Sequence, residues 1–228
     1  MRDYIFPPLL LPFFVLLVLL PFLAVFFVLS GSAVFQLVFD MSRNRALTVF
    51  SLAVIGSLIN IPVYRMKGKP IERYYSFFGY IYAIRERRNI VVAVNVGGCV
   101  IPSILALKLI PELPLKAWFL SFAVCTAVIY MQAKPIKGVG IAVPMFIPPI
   151  TAAIASYVSL SIFGCSILFL PKMAFSTGVL SSLFGADILH LKDLDRIGSG
   201  VVSIGGAGTF DGIFLTGLFA VIFSLFLV

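Results

Sequence analysis

Pro8–Leu29 reads PLLLPFFVLLVLLPFLAVFFVL, and no charged side chain occurs between Asp3 and Asp40. One helical crossing of a bilayer takes about 20 apolar residues. The run exceeds the roughly 7–15 apolar residues of a secretory signal, and no small-x-small cleavage site follows it. It is therefore expected to be a retained first membrane helix.

The rest of the chain has the same character. Hydrophobic residues make up 61% of the 228 and charged residues only 11%, with a mean hydropathy of +1.13. Soluble domains carry about 45–50% apolar and about 25% charged residues. The excess cannot be hidden in a core of this size, so lipid must solvate much of the surface. In hydrocarbon every backbone polar group has to be paired within the element, which leaves helices or closed barrels. The apolar runs are continuous and lack the alternation of barrel strands. The expected fold is all-α: a polytopic transmembrane helix bundle of about seven spans in a single integral membrane domain over 1–228.

The further spans are expected over Ala46–Tyr64, Ile90–Ile110, Ala117–Met131, Ile141–Leu168, Met173–Leu191 and Thr209–Val228. Ala33–Phe39 either continues the first helix or lies at the interface. Pro144, Pro148 and Pro149 break the fifth span. Two segments stand apart: a basic one over 65–89 and a glycine-rich link over 192–208.

Lysine and arginine collect in 65–89, 134–137 and 192–196. Basic loops stay on the cytoplasmic side, so the N-terminus is expected inside and the chain multi-pass in the cell membrane. The net charge of +8 is thereby explained without nucleic acid, for which no reading motif is present. The aromatics of the basic segment, such as Tyr74, Tyr75 and Phe78, suit the headgroup zone. The three cysteines lie singly in apolar stretches and read as small buried hydrophobes.

Of nine acidic residues, seven fall in expected loops or termini. Asp187 and Asp211 do not. They sit at the inner ends of the sixth and seventh spans, on consecutive antiparallel helices. A carboxylate at membrane depth is costly and marks a function by default. Two such groups side by side cannot both ionise; one keeps a proton while the other activates water, and the pair titrates as a unit. That chemistry suits attack on an amide. Asp187 and Asp211 are the candidate catalytic residues.

Gly208–Gly217 (GTFDGIFLTG) resembles the Gly-x-Gly-Asp segment of presenilins and signal peptide peptidases. That resemblance implies an intramembrane aspartyl protease with one aspartate on each of the sixth and seventh helices, and hence roles for Asp187 and Asp211. Phe210 stands where that family has glycine, and Ala186 where it has tyrosine. Asn95–Gly98, Gly185–Asp187 and Ser203–Gly212 also resemble an uncharacterised family of archaeal and bacterial membrane proteins. That resemblance implies membrane location and no activity.

Alternatives remain open. The same aspartates, with Asn95 beside Gly97, Gly98 and Pro102, fit a proton- or ion-coupled carrier with an unwound helix. Asn95 also fits a plain interhelical hydrogen bond. A non-catalytic scaffold would leave the aspartates apart, each capping a helix or paired with a cation. Asn95, Gly205, Gly206 and Gly208 are the candidate substrate-binding positions, since glycine-rich backbone donates N–H groups and an extended edge at Val201–Ile204 can pair with a substrate strand. His190 with Asp187 forms an Asp-x-x-His pair, but a lone histidine at a helix end is more often a cap, and no metal or other cofactor is expected. The expected partners are the lipid bilayer and either a transmembrane peptide or a small solute.

Overall fold

The computed structural model describes the backbone of residues 10–77, 80–136, 140–194, 200–206 and 212–228, and side chains for these except 10–11, 67–77, 80–89 and 200. The chain divides into two compact units, Met1–Ser51 and Leu52–Val228.

In the first unit, α1 (Leu10–Phe39) runs unbroken through Pro21, so Ala33–Phe39 continues the first helix. At about 1.5 Å per residue it outreaches the roughly 30 Å hydrocarbon layer. Its apolar side chains are largely exposed, as befits a helix solvated by lipid. Asp40 closes it in the left-handed region at φ 50°, a conformation that Asp tolerates better than most residues. The chain then reverses into α2 (Arg43–Gly56). Gly31 makes the close approach: a Cβ there would lie 2.1 Å from the Phe50 ring. Phe27 packs tilted and Phe35 edge-on against Phe50, each with centroids 5.4 Å apart.

In the second unit the expected helical bundle is present. It comprises α3 (Ile101–Leu109), α4 (Leu115–Gln132), α5 (Ile147–Ile162), α6 (Leu170–Ser182) and α7 (Gly212–Leu225). Shorter 3-10 and π turns extend α6 into one rod over Ile167–Asp193. Among the described residues of both units, three helices are long and apolar enough to cross a membrane: Pro12–Phe39, Leu115–Gln132 and Ile167–Asp193. α5 and α7 are shorter apolar helices.

Small and hydroxylated residues bring the bundle together, as expected where lipid offers no hydrophobic drive between helices. Gly178 lets α6 approach α7, and Gly217 does the same from the other side. Ser121 Oγ on α4 lies 3.1 Å from Ser156 Oγ on α5 and donates to Thr177 Oγ1 on α6 at 3.1 Å. Trp118 Nε1 donates to Ser176 Oγ at 3.1 Å, which in turn donates to the Ala106 carbonyl at 3.0 Å. These buried hydroxyls are therefore satisfied across helix seams.

Three expected spans are corrected. The helix expected over Ala46–Tyr64 stops at Gly56, and β1 begins at Asn60. Pro62 cannot donate to a helix, and Ile61 and Val63 prefer a pleated strand. The helix expected from Ile90 begins only at Ile101, after β2 (Tyr80–Asn95) and a π turn over Val96–Val100. Ile90, Val91, Val92 and Val94 are β-branched, which explains the strand. The span expected over Ile141–Leu168 gives Ile167 and Leu168 to the α6 rod and is otherwise α-helical only across Ile147–Ile162. The stretch before it is a short hairpin, β3 (Lys134–Ile136) with β4 (Gly140–Ala142).

β1 (Asn60–Phe77) pairs antiparallel with β2 from Asn60↔Asn95 to Phe77↔Tyr80. β5 (Gly200–Ile204), inside the glycine-rich link, pairs parallel with β2 over Ile90–Val94. The sheet order is β1-β2-β5. Its root packs Ile90, Val92 and Val202 on Leu194, next to the end of the α6 rod, with Ile141 alongside.

Candidate functional site

The α6 rod changes pitch where the chemistry was expected. After Ser182 it widens into a π turn over Leu183–Asp187 and then tightens into a 3-10 turn over Ile188–Asp193. Such bulges re-aim side chains and recur at functional sites. Gly185 is required at the turn: a Cβ would lie 2.8 Å from the Thr126 carbonyl on α4. Its own carbonyl is 3.0 Å from His190 Nδ1. A carbonyl only accepts, so His190 donates from Nδ1. The buried imidazole lies against Tyr130, centroids 4.7 Å apart, and Tyr130 Oη accepts from Lys192 Nζ at 3.0 Å. His190 thus locks the end of the rod to α4. Among the described residues no group of three or more His, Cys, Asp or Glu side chains is placed to hold a metal.

Asp187, partly buried, lines a cavity of about 340 Å³. Its walls come from α4 at Ile129, from β4 at Ala142, from the first turn of α5 at Pro148, from the rod at Ser182, and from α7 at Gly212 and Thr216. Most of the wall is apolar, with polar groups at Asp187, Ser182 and Thr216. Ser182 is 4% exposed, and its Oγ has no hydrogen-bond partner among the described residues. A buried hydroxyl without a partner costs free energy, and this one borders the cavity. Asp211 lies outside the described residues, as does Gly208. Gly212, the next residue after Asp211, lines the same cavity as Asp187.

Asn95, Gly205 and Gly206 belong to a second feature, a knot at the root of the sheet. Asn95 is 1% exposed. Its Nδ2 donates to the Ser57 carbonyl at 2.6 Å and to Asn60 Oδ1 at 3.2 Å, and its Oδ1 accepts from Gly98 N at 2.6 Å. Ser203 Oγ on β5 donates to the same Asn60 Oδ1 at 2.5 Å. The amide of Asn95 is therefore spent on joining the end of α2, the π turn and, through Asn60, β5. Gly97 allows the turn to press on α2; a Cβ would fall 1.8 Å from the Ala53 carbonyl. Gly205 and Gly206, at φ 85° and 120°, turn the chain out of β5 in a conformation that L side chains resist. Gly205 also abuts Cys99, where a Cβ would lie 2.3 Å from the cysteine Cβ.

The sequence pointed to Asp187 without its polar neighbours. Ser182 and Thr216 escaped notice because isolated hydroxyls in apolar helices usually bond locally or across seams. Ser182 lies five residues before Asp187, a spacing that does not share a face on a regular helix, so the pattern carried no signal for it.

The chain belongs to the family described as protein of unknown function (DUF1614), whose model matches residues 54–223. No curated protein and no solved structure matches the chain.

Proposed function

We propose that this multi-pass protein of the cell membrane is an intramembrane aspartyl protease-like hydrolase, with Asp187 and Asp211 as its catalytic pair. The observation that carries the reading is the shared cavity: Asp187 and the residue following Asp211 line one space at the end of the bundle. The basic residues Lys134 and Lys192 lie towards the same end, on β3 and at the end of the rod, which supports a cytoplasmic position.

In the reaction, one carboxyl is protonated and the other ionised. The carboxylate takes a proton from water as its oxygen attacks the amide carbon, and the carboxylic acid protonates the carbonyl oxygen. Collapse of the tetrahedral species breaks the C–N bond: the carboxyl that took the water's proton passes it to the departing amine, and a hydroxyl of the diol returns its proton to the other carboxylate as the C=O reforms. Water is consumed and both carboxyls return to their starting states. Ser182 and Thr216 offer hydroxyls to the water or the peptide. A carrier built on Asn95 is less well supported, because that amide is occupied within the fold.

The test is cleavage of single-span transmembrane peptides, each carrying a fluorophore and quencher, by the purified full chain in lipid vesicles. Cleavage that is lost in both Asp187→Asn and Asp211→Asn supports the reading. Absence of cleavage across the peptide set, with proton-driven solute uptake into the same vesicles, replaces it with a carrier.

A further inference from the structure

The second unit carries an exposed apolar strip that runs into the most basic part of the chain. Ile55, Leu58, Ile61, Val63 and Tyr64 follow one another along the end of α2 and the start of β1, with Leu58 74% and Tyr64 61% exposed. Arg65, the next residue, is also exposed. β1 is an edge strand here, since β2 separates it from β5. Beyond Arg65 the two strands continue as a paired ribbon to Phe77↔Tyr80. At 3.2–3.4 Å per residue, β1 is about 60 Å long. Its parallel partner β5 covers β2 only as far as Ile90, so among the described residues the distal ribbon is two-stranded.

The charge of this ribbon is lopsided. Arg65, Lys67, Lys69, Arg73, Arg85, Arg87 and Arg88 stand against Glu72 and Glu86, giving +5 of the chain's +8. Tyr74, Tyr75, Phe77, Phe78, Tyr80 and Tyr82 form one block between Arg73 and Arg85, at the turn end of the ribbon.

We infer that the β1–β2 ribbon is a docking surface for anionic phospholipid headgroups. The apolar strip at its root fits hydrocarbon, which sets Arg65 at the level where the bilayer turns polar. Cations beyond that level match the charge of the phosphates. A nucleic acid or a soluble acidic protein would match the charge but not the apolar root that leads into it. This inference is independent of the proposed hydrolase.

The test uses the full chain in neutral detergent micelles, titrated with fluorescent phosphatidylglycerol or phosphatidylcholine. Phosphatidylglycerol is expected to bind at least tenfold more tightly in low salt, and the preference to collapse in 0.5 M NaCl, where the screening length is only a few ångströms. Replacing Lys67, Lys69, Arg73, Arg85, Arg87 and Arg88 together by Gln should abolish the preference, whereas Lys108→Gln with Lys116→Gln should keep it. Equal affinity for the two lipids in the wild type, or a preference that survives the six-residue variant, overturns the inference. If that variant does not fold, the wild-type salt titration still decides. A single-stranded oligonucleotide that binds the ribbon while phosphatidylglycerol does not would replace lipid by nucleic acid.

Discussion

Replacing Asn95 by Ala should cost stability rather than affinity for any solute. The buried amide makes bonds of 2.6 Å to the Ser57 carbonyl and 2.6 Å from Gly98 N, and a weaker one of 3.2 Å to Asn60 Oδ1. Truncation leaves the Ser57 carbonyl and the Gly98 N–H without those partners. Asn60 Oδ1 keeps its bond from Ser203 and loses little. Each orphaned buried group costs about 1–3 kcal/mol, so the sum is about 3 kcal/mol. For a chain of this size that lowers the melting midpoint by about 6–12 °C. Asn95→Asp should do no better, because a carboxylate still accepts from Gly98 but cannot donate to Ser57. The assay is thermal unfolding in detergent followed by circular dichroism, with Asn60→Ala as the milder comparison. A midpoint within 2 °C of wild type for Asn95→Ala would refute the argument that this amide ties α2 to the π turn.

Three further outcomes follow from the same geometry. Gly97→Ala should destabilise by more than about 3 kcal/mol, above the usual range for overpacking because the clash is with the Ala53 carbonyl and the Ser57 amide rather than a movable side chain; yield and melting midpoint check it. Ser182→Ala should be neutral or stabilising by up to about 1 kcal/mol, since the hydroxyl has no partner among the described residues, while peptide cleavage falls; a clear loss of stability would mean the hydroxyl is tied down within the fold. Gly217→Val should cost about 1–3 kcal/mol, because even a Cβ lies 2.6 Å from Val179 Cγ2, and it should lower cleavage by moving α7 against the rod without touching the cavity wall.

The sequence made the bundle legible through long apolar runs, and α1, α4 and the α6 rod lie where those runs are. It did not reveal the sheet, and the reason is physical. Ile90–Val94 and Ile61–Val63 are apolar on both faces, so they match a buried strand and a membrane helix equally well by hydropathy. Only β-branching and Pro62 distinguished them. Val201–Ile204 was readable as extended because glycines bracket it, but its partner β2 is remote in sequence. At the site, Asp187 stood out because charge is rare in apolar helices. The π turn that presents it did not, since pitch within a helix leaves little trace in residue type. The bonds of Asn95 depended on Ser57, Asn60 and Gly98 converging, which no local pattern encodes.

The proposed hydrolase requires positions 187 and 211 to face each other across the cavity. In a chain with Cys99, Cys125 and Cys165 replaced by Ala, Asp187→Cys and Asp211→Cys can be bridged by a short bifunctional thiol reagent, after inserting a protease site between them to score the link on a gel. Rapid bridging is predicted for this pair, with none for Asp211→Cys paired with Leu168→Cys at the far end of the rod. No bridging of the 187–211 pair, in membranes where both thiols react singly, would contradict the account.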